Sequence, residues 1–163
     1  MIPLMIIAAL ASSTPSTGGL SCDAAALPAR DAAAVASGIV AADNARDLER
    51  VLSYYAADAM LLPPGEPPVQ GGDAIRSRYE ALFGAFDPRI EARVEEACAA
   101  EGFAYVRGRN GGTLAPRAGG APRRLDDVYL MLLRREPDGG WKITRLMWHA
   151  ASPPPPAAGG ERP

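Results

Sequence analysis

The sequence predicts an α+β fold, with helices packed on a strongly curved antiparallel sheet around a conical hollow. Three observations predict it. Apolar residues recur at helical spacing between about residues 31 and 86. After Pro88 they alternate with charged residues, as in half-buried strands. Helices grouped first and antiparallel strands grouped last mark α+β rather than alternating α/β. At 163 residues one domain is the default, long enough to bury a core without metals or many disulfides.

The elements follow in order. Val35, Ile39 and Val40 give a helical spacing from Asp31 onward. Asn44 is an N-cap candidate with Asp47 three residues on, and Leu48, Val51, Leu52 and Tyr55 form the next apolar stripe. Two helices, or one bent helix, thus fill about 31–56. Residues 57–62 read as a short strand, stopped by the prolines of 63–68, which lack a ladder donor. Asp73 is placed to cap the clearest helix, with Ile75, Tyr79, Leu82, Phe83 and Phe86 on one face. Ile90, Ala92, Val94 and Cys98 alternate with charges in a strand. Phe103 to Gly108 is the next, with Phe103, Tyr105 and Arg107 on one face. Arg109-Asn110-Gly111-Gly112 reads as a turn and 113–124 as an irregular loop. Residues 125–135 and 141–150 form a hairpin across Pro137-Asp138-Gly139-Gly140.

The ends differ in composition from this body. Met1 to Leu10 is apolar and uncharged, too short to span a bilayer. It suits a signal-peptide core, with Ala9-Leu10-Ala11 as cleavage site. The expectation is an exported protein, periplasmic or extracellular, without stable membrane insertion, or a cytoplasmic one if the N-terminus stays uncleaved. Residues 1–30 are read as a signal-like flexible segment, 31–150 as the domain and 151–163 as a disordered Pro/Gly-rich tail. Cys22 and Cys98 either pair in an oxidising compartment or stay apart, one a tail thiol and one a small buried residue. The second reading is taken here.

Charge and motifs exclude several functions. A net charge of -2 without a basic run offers no footprint for nucleic acid. One His and two Cys are too few for a zinc centre, so no metal is expected. No dinucleotide fingerprint, P-loop or nucleophile elbow occurs, and no organic cofactor is expected.

Taken together, Tyr54-Tyr55-Ala56-Ala57-Asp58-Ala59, then Gly71-x-x-Ala74-Ile75-Arg76, then Gly140-Trp141-Lys142-Ile143 with Trp148, carry a resemblance. Residues 31–150 resemble the SnoaL-like branch of the nuclear-transport-factor-2-like superfamily, especially its small bacterial members of unknown function. The resemblance implies a cone-shaped α+β barrel, usually a homodimer, with a pocket between helices and sheet. The family hosts isomerases, cyclases, dehydratases, hydrolases and binding or association domains, so the fold alone leaves function open. Its isomerase-like members carry a carboxylate base where Pro63 falls here; Glu66 is the nearest carboxylate.

Site candidates follow from residue chemistry. Asp127 and His149 are the catalytic candidates: a desolvated carboxyl and the only imidazole. Asp58 reads as a turn residue bonded to local backbone. Alternation sends Trp148 and His149 to opposite faces, with Trp148 taken as lining and His149 as rim. The expected pocket is Tyr55, Met60, Leu62, Tyr79, Phe83, Tyr105, Arg107, Tyr129, Met131, Arg145 and Trp148: apolar walls, tyrosine hydroxyls and two guanidinium groups. The leading expectation is binding of a small hydrophobic molecule. The alternatives are a cofactor-free cyclase or isomerase working by proton transfer, and a non-catalytic association domain.

Overall fold

The computed structural model describes residues 19–23 and 26–151. The expected leader, its cleavage site and the Pro/Gly-rich tail beyond Ala151 lie outside the described residues. No helix among the described residues is long and apolar enough to cross a membrane.

The chain runs α1 (Leu27–Ala45), α2 (Leu48–Ser53), β1 (Tyr55–Leu62), β2 (Val69–Gln70), α3 (Gly72–Ala85), β3 (Phe86–Ala100), β4 (Phe103–Pro116), β5 (Arg123–Arg135) and β6 (Trp141–Ala150). Pro28 opens α1, where its missing N–H leaves nothing unpaired. Arg46, at φ 56°, closes that helix. Asp47, not Asn44, caps α2, accepting the Arg50 N–H at 3.1 Å. Asn44 remains inside α1 and bonds both backbone groups of Ile90 at 2.8 Å. That pair pins the end of α1 to β3. Gly71, at φ 86°, precedes α3 without a side-chain cap, and Asp73 sits in the first turn.

The strands form one sheet in the order β2-β1-β6-β5-β4-β3. β3 to β6 pair antiparallel in succession, but β1 runs parallel to β6. The sheet is therefore mixed and open, and the expected cone-shaped barrel on a strongly curved antiparallel sheet is corrected. Closure needs the two edges to meet. One edge is β2, only two residues long and hemmed by prolines. The other is β3, whose free side meets only Ser21, paired to Ala99 by two 2.8 Å bonds among the described residues.

Helix α1 lies on β3, β4 and β6. Its buried face is Ala29, Ala32, Val35, Ala36 and Ile39, set against Ala97, Ala99, Ala104 and Val106. Alanine on both sides lets helix and sheet approach closely, which is how an Ala-rich stretch forms a core.

Two local readings change. The turn expected at 109–112 is strand: β4 passes through it, with Asn110 opposite Ala92 and Asp127. The glycines there serve close approach. A Cβ on Gly108 would lie 2.2 Å from the Arg93 carbonyl oxygen and 2.5 Å from the Tyr129 hydroxyl. We expect Gly108→Ala to destabilise the domain by about 3 kcal/mol through overpacking. Gly111→Ala, with open space at its Cβ among the described residues, is the matched control. Equal melting temperatures for the two variants would refute the crowding.

The second change is a register shift in β3 between Val94 and Glu96. Before it, even-numbered residues face the helices. After it, Ala97 and Ala99 do, and Cys98 turns to the outer face opposite Tyr105. Cys98 there forms a disulfide with Cys22, which corrects the reading of two separate thiols. The hairpin at 137–140 forms as expected, with Asp138 accepting the Gly140 N–H at 2.9 Å.

Candidate functional site

A cavity of about 840 Å³ opens between α3 and the inner face of the sheet, with the last turn of α1 at its inner end. Leu61, Leu82, Leu125, Leu146 and Trp148 supply apolar wall; Asp43, Asn110 and Asp127 bring polar groups. Glu66, Arg78 and Arg123 stand among its more exposed residues.

Asp43 is the buried charged residue of the described core, 9% exposed. Its Oδ1 has no hydrogen-bond partner among the described residues. Burial pushes its carboxyl pKa up to about 7, because a charge that loses water without gaining a partner favours its neutral form. Beside it, the hydroxyls of Tyr55 and Tyr79 bond each other at 2.8 Å. Both phenols are raised above their ordinary value, first by burial, with Asp43 contributing in the same direction. Tyr79 lines the cavity and Tyr55 stands behind it, their rings 6.1 Å apart.

On the sheet side, Asn110 and Asp127 are cross-strand neighbours. Asn110 Oδ1 is also buried without a partner among the described residues. Burial raises the Asp127 pKa, with Asp126 adding to the rise and Arg123 and His149 opposing it. At the mouth, Arg78 forms a two-pronged pair with Glu66, at 2.6 and 3.2 Å. The Arg78 guanidinium lies 5.7 Å from the Trp148 ring centre.

Of the expected site residues, Tyr79, Asp127 and Trp148 come together in this cavity. Phe83, Tyr129 and Met131 are core beneath it. Burial, with Glu95 adding, pushes the Tyr129 phenol up to about 12. Tyr55 is buried behind Tyr79, whereas Met60, Leu62, Tyr105, Arg107 and Arg145 lie on the other side of their strands from the cavity. On β1 the residue facing the cavity is Leu61, so Met60 and Leu62 turn away. On β4 the inner residues are Ala104, Val106 and Asn110. Tyr105 therefore stands on the outer face 3.0 Å from the Cys98 sulfur, and Arg107 pairs there with Glu95 and Glu96. Arg145 donates to the Asp58 and Thr144 carbonyls. Asp58 itself takes Arg134 on that face instead of a turn. His149 is exposed, with Nδ1 2.8 Å from the Ala150 carbonyl.

The sequence reading missed Asp43 and Asn110. Asp43 was discoverable: Ala32, Val35, Ala36, Ile39 and Val40 define a buried stripe, and position 43 continues it. Asn110 carried no signal, since Asn-Gly-Gly reads locally as a turn.

An open sheet carrying its helices on one face, with a side cavity holding a buried carboxyl, describes a pocket-bearing α+β domain. The chain belongs to the SnoaL-like domain family, whose model matches residues 36–146. Among solved structures it is similar to a ketosteroid isomerase-like protein from Erwinia carotovora atroseptica SCRI1043. The identity is 26%, 78% of this chain and 98% of that one are covered, and the TM-score is 0.72. A conserved protein from Planctomyces limnophilus DSM 3776 matches at 26% identity over 70% and 88% of the two chains, TM-score 0.66. An NTF-2 like protein of unknown function from Shewanella oneidensis MR-1 shares the fold at 20% identity, 75% and 98% coverage and TM-score 0.62. A search of curated proteins finds no match.

Proposed function

We propose that this SnoaL-like domain binds a small, largely apolar molecule in the cavity, with the molecule's polar end at Asp43. The observation that carries the reading is a buried carboxyl oxygen, unpartnered among the described residues, at the inner end of an 840 Å³ apolar-walled cavity. Ligand sites are typically apolar hollows with a few converging polar groups. The test is titration with 1-aminoanthracene, read by its fluorescence, against Leu61→Trp, which fills the cavity. Filling is expected to weaken binding about tenfold or more; an unchanged titration would place the dye elsewhere and sink the reading.

Proton transfer to or from the bound molecule is the second reading. A carboxyl held near neutral pKa beside a tyrosine pair supports it. Asp43 then takes, from α1, the role that Pro63 cannot fill, and Asp127 is the second carboxyl rather than His149. The reading also takes the protein as an exported homodimer. The Cys22–Cys98 disulfide supports export, because such bonds persist in oxidising compartments. Exposed Phe103 and Met147 on the outer face support the dimer. Light scattering on the intact protein reads that state directly.

A further inference from the structure

The inner end of the cavity holds a buried carboxyl oxygen, Asp43 Oδ1, and a buried amide oxygen, Asn110 Oδ1, that lack partners among the described residues. The Tyr55 and Tyr79 hydroxyls bond each other, which uses one of their two hydrogens and leaves one free to donate. Asp43 also belongs to the last turn of α1, where the helix ends in outward-pointing carbonyls and favours positive charge. Arg78 acts on the Tyr55 and Tyr79 phenols, but none of the cavity's cations forms an ion pair with Asp43 among the described residues. Arg78 of α3 is held by Glu66 from the loop after β1. Arg123 of β5 is exposed and acts on Asp127, and His149 of β6 is exposed beside the same carboxyl. Asp127 adds a second acid to the wall.

Resting on the cavity as a small-molecule site, we propose that its ligand is a compact apolar amine, bound with its ammonium group against Asp43 and its hydrocarbon body among Leu61, Leu125, Leu146 and Trp148. A ketone could take the spare tyrosine hydrogen but would leave ionised Asp43 without a counter-charge, and a carboxylate would repel it. An ammonium brings three donors and the opposite charge.

The test uses four probes on one ring system: 1-naphthylmethylamine, 1-naphthalenemethanol, 1-acetonaphthone and 1-naphthoate. Binding is measured by calorimetry on the intact protein at about pH 8, where Asp43 is ionised. The amine should bind about tenfold or more tighter than the alcohol and ketone, the scale of one charge-assisted hydrogen bond. Asp43→Asn should weaken the amine far more than the alcohol and abolish the difference between them. Circular dichroism verifies that the variant is folded. At about pH 5 the preference should vanish in the wild type as well, since Asp43 is then protonated. A ketone or carboxylate that binds as tightly as the amine, or an amine preference that survives Asp43→Asn, overturns the inference. Binding of all four probes without preference overturns the amine class alone. Binding of none overturns the cavity reading with it.

Discussion

Asp43→Asn should raise the stability of the domain above neutral pH and leave it nearly unchanged at about pH 4. The folded pKa of Asp43 is about 7 against an ordinary 3.8. The folded chain therefore binds this proton more tightly than the unfolded chain. Unfolding then releases a proton, and stability falls as pH rises. The loss begins near the unfolded value, accumulates between about pH 4 and pH 7, and is complete above the folded value. A shift of this size is worth about 4 kcal/mol at its limit. Asn keeps the shape and removes the charge, so the variant escapes that loss.

At about pH 8 the variant is expected to melt roughly 10 °C above the wild type. At about pH 4 both proteins carry a neutral group there, and the melting curves should coincide. Asp127, whose pKa is also raised by burial, bends both curves the same way and cancels in the difference. Parallel curves from about pH 4 to pH 8 would mean that Asp43 has an ordinary carboxylate environment. A residue that weakens its own fold when ionised has its explanation in what it does there, since an apolar side chain in the α1 stripe would pack without that cost.

Much of the fold was legible because its signals are local. The stripes of α1 and α3, the Pro137–Gly140 turn and the last two strands all follow from spacing within a dozen residues. Strand direction and closure are not local. β1 meets β6 across residues 63–140, and no turn chemistry in that span records that the two run parallel. Face assignments failed for a related reason. Alternation supplies two sets of residues per strand, and only packing selects the buried one. In β4 the aromatic and charged set, Tyr105 and Arg107, looked like a lining, whereas the small set, Ala104, Val106 and Gly108, lies under the helices. Asp127 and Trp148 line the cavity, but alternation alone offered Asp126 and His149 equally, and only packing separates the two sets.

Cys22→Ser should cost the domain about 4 kcal/mol and lower its melting temperature by roughly 10 °C. The two cysteines are 76 residues apart in sequence. A cross-link over such a span removes a large share of the unfolded chain's freedom, and its loss restores that freedom to the denatured state. Cys22 is the right partner to replace: it is exposed, so serine leaves no hole. Cys98 is fully buried, and truncating it would mix a cavity effect with the loss of the link. The denatured state should also expand, so the denaturant slope should increase as the midpoint falls. That pair of changes separates an unfolded-state effect from a broken native contact, which would lower the midpoint at constant slope. The Ser21–Ala99 bridge depends on the same tether, so the variant should also lose amide protection at Ser21 and Ala99 at the outer edge of β3. Protection at Leu61 in β1, separated from β3 by β6, β5 and β4 in the sheet, should stay at the wild-type level once corrected for global stability. Identical melting of the oxidised protein, the reduced protein and Cys22→Ser would show that the link adds nothing to the fold.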